Sequence, residues 1–390
     1  MKRWLALAAG VIIQTALGGI YAWSAFVPHL MNTFGFTRTQ CANIFGIMIA
    51  VFSLSTIPAG KFFLRFGPRL TAGIGTLLFS VGYIVSSFSG GNYFWIVGGI
   101  GITTGIGIGF GYICPLSVGM KWFPDRRGLV TGVMVAGFGL GAAVLSWFIV
   151  RLAASYHILT VFRLVGIVFG GIASVGAMFL SEPESNRKRE NPHLVKKALR
   201  SIILTPPFLL LWFSMFAGTF AGLLISGNLK PLMTSLGLSA SRTELAIPLF
   251  ALGNTLGRLV WGHIHDRLGS KHTILLSLTI LFLSIFPLLL TFNTGIALVA
   301  VGFIGFGFGA CFVVYAASVV DVFKVENLPR LYPIIFIAYG VAALIGPPIG
   351  GKIADSTGSY TGGLIISNLV LLLVLMTVFL KYPSVNKQEH

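Results

Sequence analysis

The stretches GKFFLRFGPR at residues 60–69 and GHIHDRLGSK at residues 262–271 are similar and lie 202 positions apart in this chain. The same offset of 202 relates LMNTFGFT at 30–37 to LMTSLGLS at 232–239. Because one constant offset aligns both pairs without a gap, we interpret the similarity as an internal duplication. The chain is therefore predicted to contain two related halves.

Long apolar runs surround both copies of the duplicated sequence. Charged residues are only 9% of the chain, against about 25% in ordinary soluble domains, and each run can cross about 30 Å of hydrocarbon as a helix. We place the spans near residues 4–28, 41–60, 70–88, 94–117, 128–150, 158–180, 207–229, 244–264, 272–291, 295–319, 331–352 and 360–380. The predicted fold is an all-α integral membrane protein with 12 transmembrane helices in two parallel six-helix pseudo-symmetric halves.

One charged stretch separates the first six spans from the last six. The predicted domains are an N-terminal half at 1–180, a cytoplasmic linker at 181–206 and a C-terminal half at 207–390. Because six is an even number, both halves enter the membrane in the same direction. Their pseudo-twofold axis then lies along the membrane normal.

The net charge of +17 is distributed as an orientation signal rather than as a nucleic-acid-binding patch. With the N-terminus inside, 20 of the 27 Lys and Arg residues fall on the inner side and 5 on the outer side. This bias follows the positive-inside rule and predicts a multi-pass protein of the cell (inner) membrane with both termini cytoplasmic. The expected surrounding is the lipid bilayer, no nucleic-acid partner is expected, and the protein is expected to be a monomer.

The spans contain no pattern typical of an enzyme. We find no nucleophile with a base and no metal-ligand cluster at mid-membrane depth, and the chain has no G-x-x-x-x-G-K-[ST] loop for a nucleotide. His263 and His265 are two residues apart, so they point to different faces of a helix, and we place them in a cytoplasmic loop. Neither a cofactor nor a metal ion is therefore expected.

Arg258 lies within an apolar run from about Leu245 to Ile264. An arginine near the centre of a spanning helix costs roughly 2.5–3.5 kcal/mol on insertion scales, and it stays charged. The ten acidic residues of the chain all fall in loops or at span ends, so no protein carboxylate is expected at this depth. We therefore expect Arg258 to face a water-filled cavity and to bind the carboxylate of a substrate with its planar guanidinium.

Polar side chains on several spans are the expected wall of this cavity. Asn254 lies one turn before Arg258 on the same helix face, where it can donate to the substrate or hold the guanidinium. A tyrosine deep in a span needs a partner for its hydroxyl, and a small carboxylate can be that partner. The candidate substrate-binding residues are Gln14, Tyr21, Tyr112, Asn254, Arg258, Tyr315, Tyr332 and Tyr339.

Twelve spans in two parallel halves, with short basic stretches after spans 2 and 8, resemble the major facilitator superfamily. Its loop motif, Gly-x-x-x-Asp-Arg-x-Gly-Arg-Arg, is similar to residues 60–69 and 262–271, although Leu64 stands where the first copy should have its acid. The resemblance implies that these stretches are cytoplasmic gating loops that tie helix ends together. The residues concerned are Gly60, Arg65, Gly67, Gly262, Asp266, Arg267 and Gly269.

A finer resemblance is to the oxalate–formate antiporter family and the related monocarboxylate transporters. It rests on LGGIYAWSAF (17–26), KWFPDRRGLVTG (121–132), the Arg258 neighbourhood and GPPIGGKIADSTGSY (346–360). Members that carry oxalate have a second cation, a lysine, where this chain has Tyr339. Proton-coupled animal members typically have an aspartate where this chain has Asn254. The resemblance thus implies one cation in the site, which suits a substrate with one negative charge.

The expected function is secondary active transport of small organic anions by alternating access. Monocarboxylates such as lactate, pyruvate, formate or acetate are favoured, carried by proton symport, with protons as the coupling ion, or by anion exchange. An oxalate or other dicarboxylate:formate antiporter is the alternative within transport. An anion channel is disfavoured because the parallel duplication is typical of carriers, and a role as a sensor stays open.

Overall fold

The computed structural model describes residues 2–123, 127–183, 202–290, 293–323 and 328–382, and within these ranges the chain forms helices and no strand. The helices of the N-terminal half are α1 (Lys2–Gly18), α2 (Val27–Phe34), α3 (Arg38–Phe66), α4 (Pro68–Ser86), α5 (Tyr93–Ile96), α6 (Gly105–Trp122), α7 (Arg127–Ala153) and α8 (Ile158–Phe179). Those of the C-terminal half are α9 (Pro206–Gly227), α10 (Leu229–Ser235), α11 (Ala240–Leu290), α12 (Thr294–Ala310), α13 (Val314–Phe323), α14 (Leu328–Thr357) and α15 (Thr361–Lys381). Most of the predicted linker, residues 184–201, lies outside the described residues.

Eleven helical segments among the described residues are long and apolar enough to cross a membrane. One of them, the 51-residue α11, contains two predicted spans in tandem, 244–264 and 272–291, separated at Gly269. The eleven segments therefore account for all twelve predicted spans. The predicted all-α membrane fold is confirmed.

The two predicted gating loops are helix ends rather than loops. Gly60 and Arg65 lie inside α3, and Gly262, Asp266 and Arg267 lie inside α11. Hydropathy places the ends of these spans at residues 60 and 264, but the helices continue beyond them. A helix satisfies its backbone hydrogen bonds internally, so it does not have to stop where the apolar sequence stops.

Gly67 and Gly269 interrupt these helices in the same way. Their φ/ψ angles are 82°/175° and 72°/175°, in a region restricted essentially to glycine. Thr71 and Thr273 each donate a hydroxyl hydrogen bond to the carbonyl of the glycine four residues earlier, at 2.7 and 2.8 Å. Because the two glycine–threonine pairs are related by the offset of 202, the duplication extends to the backbone conformation.

Within the described ranges, three segments depart from α geometry inside their spans. Gly19–Ala25 is a 3-10 helix after α1, Val97–Thr104 is a π-helix before α6, and a turn at residues 311–313 separates α12 from α13. Such departures are frequent at functional sites. Two of them carry aromatic residues of the candidate site, Tyr21 and Phe312.

Among the described residues, the two halves contact each other mainly along two seams, α3 against α14 and α7 against α11. Glycine permits the close approach of these helices. A Cβ on Gly46 would lie 2.3 Å from the Ala343 carbonyl oxygen, and one on Gly139 would lie 2.7 Å from Thr255 Oγ1. We call the end of the bundle that holds the start of α1 and the end of α15 the terminal end, and the opposite end, where α3 begins and α14 finishes, the far end.

Candidate functional site

Arg258 is almost fully buried, with 1% of its surface exposed, and it contacts both halves of the protein. Its Nε donates to Oδ1 of Asn254, one turn earlier in α11, at 3.0 Å. Its Nη1 donates to the backbone carbonyl of Val135 in α7 at 2.8 Å. The guanidinium also lies over the Phe312 ring, 4.2 Å from the ring centroid. Arg258 therefore lies on the seam between α7 and α11 rather than beside lipid.

Two glycines of α12 hold α11 close at this depth. A Cβ on Gly305 would lie 2.2 Å from the carbonyl oxygen of Phe250, and one on Gly309 would lie 2.5 Å from that of Asn254. Because these atoms belong to helix backbone, they cannot move aside without shifting a whole helix. The close α11–α12 contact buries Asn254 completely and fixes the backbone that carries Arg258.

Asn254 orients the guanidinium with its side-chain oxygen. Arginine has donors only, so the atom that faces Arg258 Nε has to be the oxygen rather than the nitrogen of the amide. Asn254 Nδ2 and Arg258 Nη2 then have no hydrogen-bond partner among the described residues. Of the two roles that the sequence leaves open for Asn254, the geometry supports holding the guanidinium and leaves donation to a substrate available.

In the part of the chain that the structure describes, Arg258 forms no ion pair with a carboxylate. The ion pairs found there lie at helix ends and join Arg38 to Asp355, Lys121 to Glu182 and His265 to Asp321. A buried charge without an opposite charge is costly. Arg258 Nη2 and Asn254 Nδ2 together form a positively charged corner that offers only donors, and a carboxylate is the group that such a corner binds best.

Aromatic rings from both halves surround this corner. Tyr21, in the 3-10 segment, and Tyr339, in α14, share a hydrogen bond between their hydroxyls at 2.8 Å. The Tyr21 ring meets Phe138 edge-on at a centroid distance of 5.8 Å, and the Arg258 guanidinium lies 5.6 Å from the centroid of Phe138. These rings are buried, so Arg258 faces a closed aromatic site rather than the expected water-filled cavity, and electrostatic attraction to the guanidinium is stronger there than it would be at a surface.

Tyr112 and Tyr332 extend the aromatic group. Tyr112 is edge-on to Phe138 at 5.2 Å and is stacked on Phe336 at 6.1 Å with an interplanar angle of 15°. Tyr332 is half-buried and its ring centroid lies 5.7 Å from that of Phe336. The structure thus gathers Tyr21, Tyr112, Tyr332 and Tyr339 into one group of aromatic rings, and the Phe138 ring of this group lies beside the Arg258 guanidinium.

Gln14 reaches the same aromatic group from α1. Its side chain is fully buried, and its Nε2 donates to the backbone carbonyl of Tyr112 at 3.1 Å. Its Oε1 has no partner among the described residues. Gln14 therefore presents a free acceptor, in contrast to the free donors of Arg258 and Asn254.

Tyr315 lies apart from this group. Its side chain is buried, and its hydroxyl has no hydrogen-bond partner within the described ranges. Among the described residues, no hydrogen bond or ring contact joins Tyr315 to Arg258 or to the other tyrosines, and its place in the site stays a prediction.

Several groups that contact Arg258 were not identified from the sequence. The Val135 carbonyl belongs to the backbone, so it has no side-chain signature at all. Phe138 and Phe312 are ordinary residues of an apolar span by composition. Phe312 follows the glycine-dense GFIGFGFGA at 302–310. Glycines permit the turn at which α12 ends, so this position is the sequence feature that could indicate Phe312 as a contact of Arg258.

Asp355 fastens the two halves at the far end. Its Oδ1 accepts from the Arg38 backbone N–H at 3.1 Å, and its Oδ2 accepts from the backbone N–H and the hydroxyl of Thr39 at 2.9 and 2.6 Å. The Arg38 guanidinium lies 3.8 Å from the same carboxylate. A carboxylate at a helix N-terminus is stabilised by the free N–H groups and by the helix dipole. Asp355 of α14 thus caps α3 across the boundary between the halves.

His265 is buried, with 5% of its surface exposed, and not in a loop as the sequence suggested. It lies within α11, where its Nε2 is 3.2 Å from Ser270 Oγ and 3.3 Å from Asp321 Oδ2. The helix continues past the end of the apolar run, so the side chain packs against α13 instead of entering water. These contacts stay within the C-terminal half.

Comparison with known proteins identifies the family. The sequence profile of the Major Facilitator Superfamily matches residues 8–229 and 211–390. The uncharacterized MFS-type transporter YhjX of Escherichia coli (strain K12) is 27% identical over 350 residues, which cover 88% of this chain and 86% of that protein. The oxalate:formate antiporter of Oxalobacter formigenes is 25% identical over 376 residues, with 93% and 88% covered. Monocarboxylate transporter 2 of Meriones unguiculatus is 24% identical over 407 residues, with 97% and 83% covered. The chain belongs to the Major Facilitator Superfamily and is a multi-pass membrane transporter rather than an enzyme.

Proposed function

We propose that this chain is a secondary active carrier of small monocarboxylates such as lactate, pyruvate, formate or acetate. Arg258 binds the substrate carboxylate, while Asn254 holds the guanidinium and donates a second hydrogen bond through Nδ2. The observation that carries the proposal is the buried, unpaired donor corner formed by Arg258 Nη2 and Asn254 Nδ2. The aromatic residues Tyr21, Tyr112 and Tyr339 limit the size of the substrate, and Tyr332 and Tyr315 complete the wall of the site.

The charge of the site supports a substrate with one negative charge. Arg258 is its cation, and Tyr339 meets Tyr21 through a neutral hydroxyl pair instead of offering a second cation. A dicarboxylate carrier is the second candidate. It is favoured by the similarity to a protein named an oxalate:formate antiporter, and the hydroxyls of Tyr21 and Tyr339 are the groups that would have to bind the second carboxylate.

Alternating access follows from the position of the site between the halves. Arg258 bonds to Val135 across the α7–α11 seam, and the α3–α14 seam is fastened at the far end by Asp355. A rocking motion that opens the far end has to break that cap and separate the aromatic rings of the two halves. We place the terminal end and its helix-end motifs around Gly60 and Gly262 in the cytoplasm, in a monomer of the inner membrane.

The identity of Asn254 favours exchange of anions over proton symport. An amide does not take up a proton at physiological pH, and no carboxylate pairs with Arg258 among the described residues. Exchange therefore needs no further group in this site. Symport would require the proton to travel with the substrate or through tyrosines and water.

Uptake of labelled L-lactate into proteoliposomes tests the proposal. Vesicles are prepared with and without internal unlabelled anion, and with and without an inward proton gradient. Wild-type protein should take up lactate in exchange for internal anion, and Arg258→Ala should abolish the uptake. Arg163→Ala is the matched control, because Arg163 donates to Ser87 and lies over Phe88, away from the site.

Each alternative has its own outcome in this experiment. Uptake driven only by the proton gradient would replace exchange with symport. Oxalate uptake without lactate uptake would make the protein a dicarboxylate carrier. Normal lactate uptake by Arg258→Ala would show that the arginine is structural and that the binding site lies elsewhere.

A further inference from the structure

Gln14 carries a buried acceptor that the protein leaves without a donor. A backbone carbonyl only accepts hydrogen bonds, so the Gln14 atom that faces the Tyr112 carbonyl at 3.1 Å has to be the nitrogen. This fixes the orientation of the amide and leaves Oε1 as the second polar atom. Gln14 is 0% exposed, and Oε1 has no hydrogen-bond partner within the described part of the chain. Buried acceptors are nearly always paired in folded proteins, so Oε1 is available to accept a hydrogen bond from a ligand.

Gln14 and Arg258 border the same group of rings. Gln14 bonds to the backbone of Tyr112, and the Tyr112 ring is edge-on to Phe138 at 5.2 Å. The Arg258 guanidinium lies 5.6 Å from the centroid of that same Phe138 ring. A Cβ on Gly18 of α1 would lie 1.9 Å from the backbone carbonyl oxygen of Phe138. Helix α1, which carries Gln14, is thus packed against the segment of α7 that also contacts Arg258.

The free polar atoms of the site have opposite characters. Arg258 Nη2 and Asn254 Nδ2 are donors, whereas Gln14 Oε1 is an acceptor. A carboxylate satisfies the donors but has no hydrogen to give to Gln14. A substrate that satisfies all three atoms carries a carboxylate and, close to it, a hydrogen-bond donor.

We propose that Gln14 is a specificity-determining residue that accepts a hydrogen bond from a hydroxyl of the substrate, so that the carrier selects 2-hydroxy monocarboxylates. The inference rests on the proposed function, since it assumes that Arg258 binds the carboxylate. An acid of the same carbon skeleton without a hydroxyl leaves Oε1 unpaired, and a 2-keto acid places a second acceptor against it. A site built to pair with a substrate hydroxyl rejects analogues that lack the hydroxyl.

Competition between matched acids tests the role of Gln14. Glycolate and acetate have two carbons each and differ by one hydroxyl, and L-lactate and propionate form the corresponding three-carbon pair. Their inhibition of labelled L-lactate exchange is measured in proteoliposomes with wild-type protein, Gln14→Met and the control Thr76→Val. Methionine has a similar length without a hydrogen-bonding amide, and Thr76 is a buried hydroxyl whose bonds lie among α4 and α8.

The ratio of the two inhibition constants is the decisive quantity. Wild-type protein and Thr76→Val should prefer glycolate over acetate by about tenfold or more, and Gln14→Met should reduce the ratio to about one while acetate binds as before. A general loss of folding would weaken the inhibition by glycolate and the inhibition by acetate together, and the ratio of their inhibition constants would stay unchanged. If Gln14→Met shows no flux, the same ratio is obtained from the ligand-induced rise in thermal stability of the purified protein.

Two results would overturn the inference about Gln14 without contradicting the proposed function. One is a wild-type protein that binds glycolate and acetate equally well, and the other is a Gln14→Met variant that keeps the wild-type preference. Failure of every acid to compete or to stabilise the protein would instead overturn the proposed function, and this inference with it.

Discussion

Replacing Asn254 with aspartate should make substrate binding depend on pH. In the native protein, Arg258 Nε lies 3.0 Å from Asn254 Oδ1. Aspartate has a side chain of the same size and keeps an oxygen at this position. It also removes the free Nδ2 donor and adds a negative charge to the corner at which we place the substrate carboxylate. The guanidinium is then neutralised by the protein rather than by the substrate.

The size of the effect follows from the geometry of this corner. Two unit charges about 4 Å apart interact by about 4 kcal/mol at an effective dielectric constant of about 20, which corresponds to on the order of a thousandfold in affinity. Allowing for relaxation of the site, we expect lactate to bind about a hundredfold more weakly or worse while the introduced carboxylate is ionised. Protonation makes that side chain neutral, so affinity should recover as the pH falls.

Lactate counterflow in proteoliposomes with equal pH on both sides measures this dependence between about pH 5 and pH 8. Asn254→Leu is the control, because it removes both amide functions without adding a charge. Its affinity should fall but should follow the wild-type pH profile. An Asn254→Asp protein with wild-type affinity across this range would refute the placement of the substrate carboxylate beside Asn254.

Three further substitutions test the far-end cap, the close contact behind the site and the helix break. Asp355→Asn should shift the halves toward separation at the far end by about 1 kcal/mol, or about fivefold. Ser24 is buried in the native protein. In a background without the native cysteines, the thiol introduced by Ser24→Cys should react severalfold faster with an impermeant maleimide when Asp355→Asn is also present. Unchanged labelling would show that the cap does not hold the halves together. Gly305→Ala should lower stability by about 1–3 kcal/mol and abolish transport, because its Cβ would lie 2.2 Å from a backbone carbonyl oxygen. Gly302→Ala should be tolerated, because the nearest atom to its Cβ would lie 3.9 Å away. Equal effects of the two substitutions would contradict the close-contact argument. Gly269→Ala should cost about 1–3 kcal/mol in thermal unfolding in detergent, because of its φ of 72°, and an unchanged melting temperature would contradict strain at this position.

The architecture could be predicted because its signals are local or periodic. Apolar runs give the spans, and the constant offset of 202 gives the two halves. The unusual position of Arg258 could also be recognised, since a permanent cation in an apolar run is costly in any fold. Its lack of an acidic partner followed from where the acids lie along the chain.

The remaining features depend on tertiary structure. The Val135 carbonyl, which bonds to Arg258 across the halves, looks like every other carbonyl in the sequence. Hydropathy indicates the lipid-facing length of a helix and does not indicate where the helix ends. The predicted spans are therefore shorter than α3 and α11, and the sequence places His265 in a loop although it is buried within α11. Tyr315 follows the turn at 311–313 and makes no hydrogen bond or ring contact with the other tyrosines among the described residues, which the positions of the tyrosines in the sequence do not reveal.

The most direct test of the role of Arg258 is the melting temperature of the purified protein, with and without L-lactate, for wild type and Arg258→Gln. A cation held only for the substrate destabilises the protein without ligand, since its charge is buried and unpaired. The account predicts that Arg258→Gln melts at the same temperature as ligand-free wild type or higher, and that lactate raises the melting temperature of wild type alone. A lower melting temperature for ligand-free Arg258→Gln, with the full rise on adding lactate, would contradict the account and make Arg258 a structural residue.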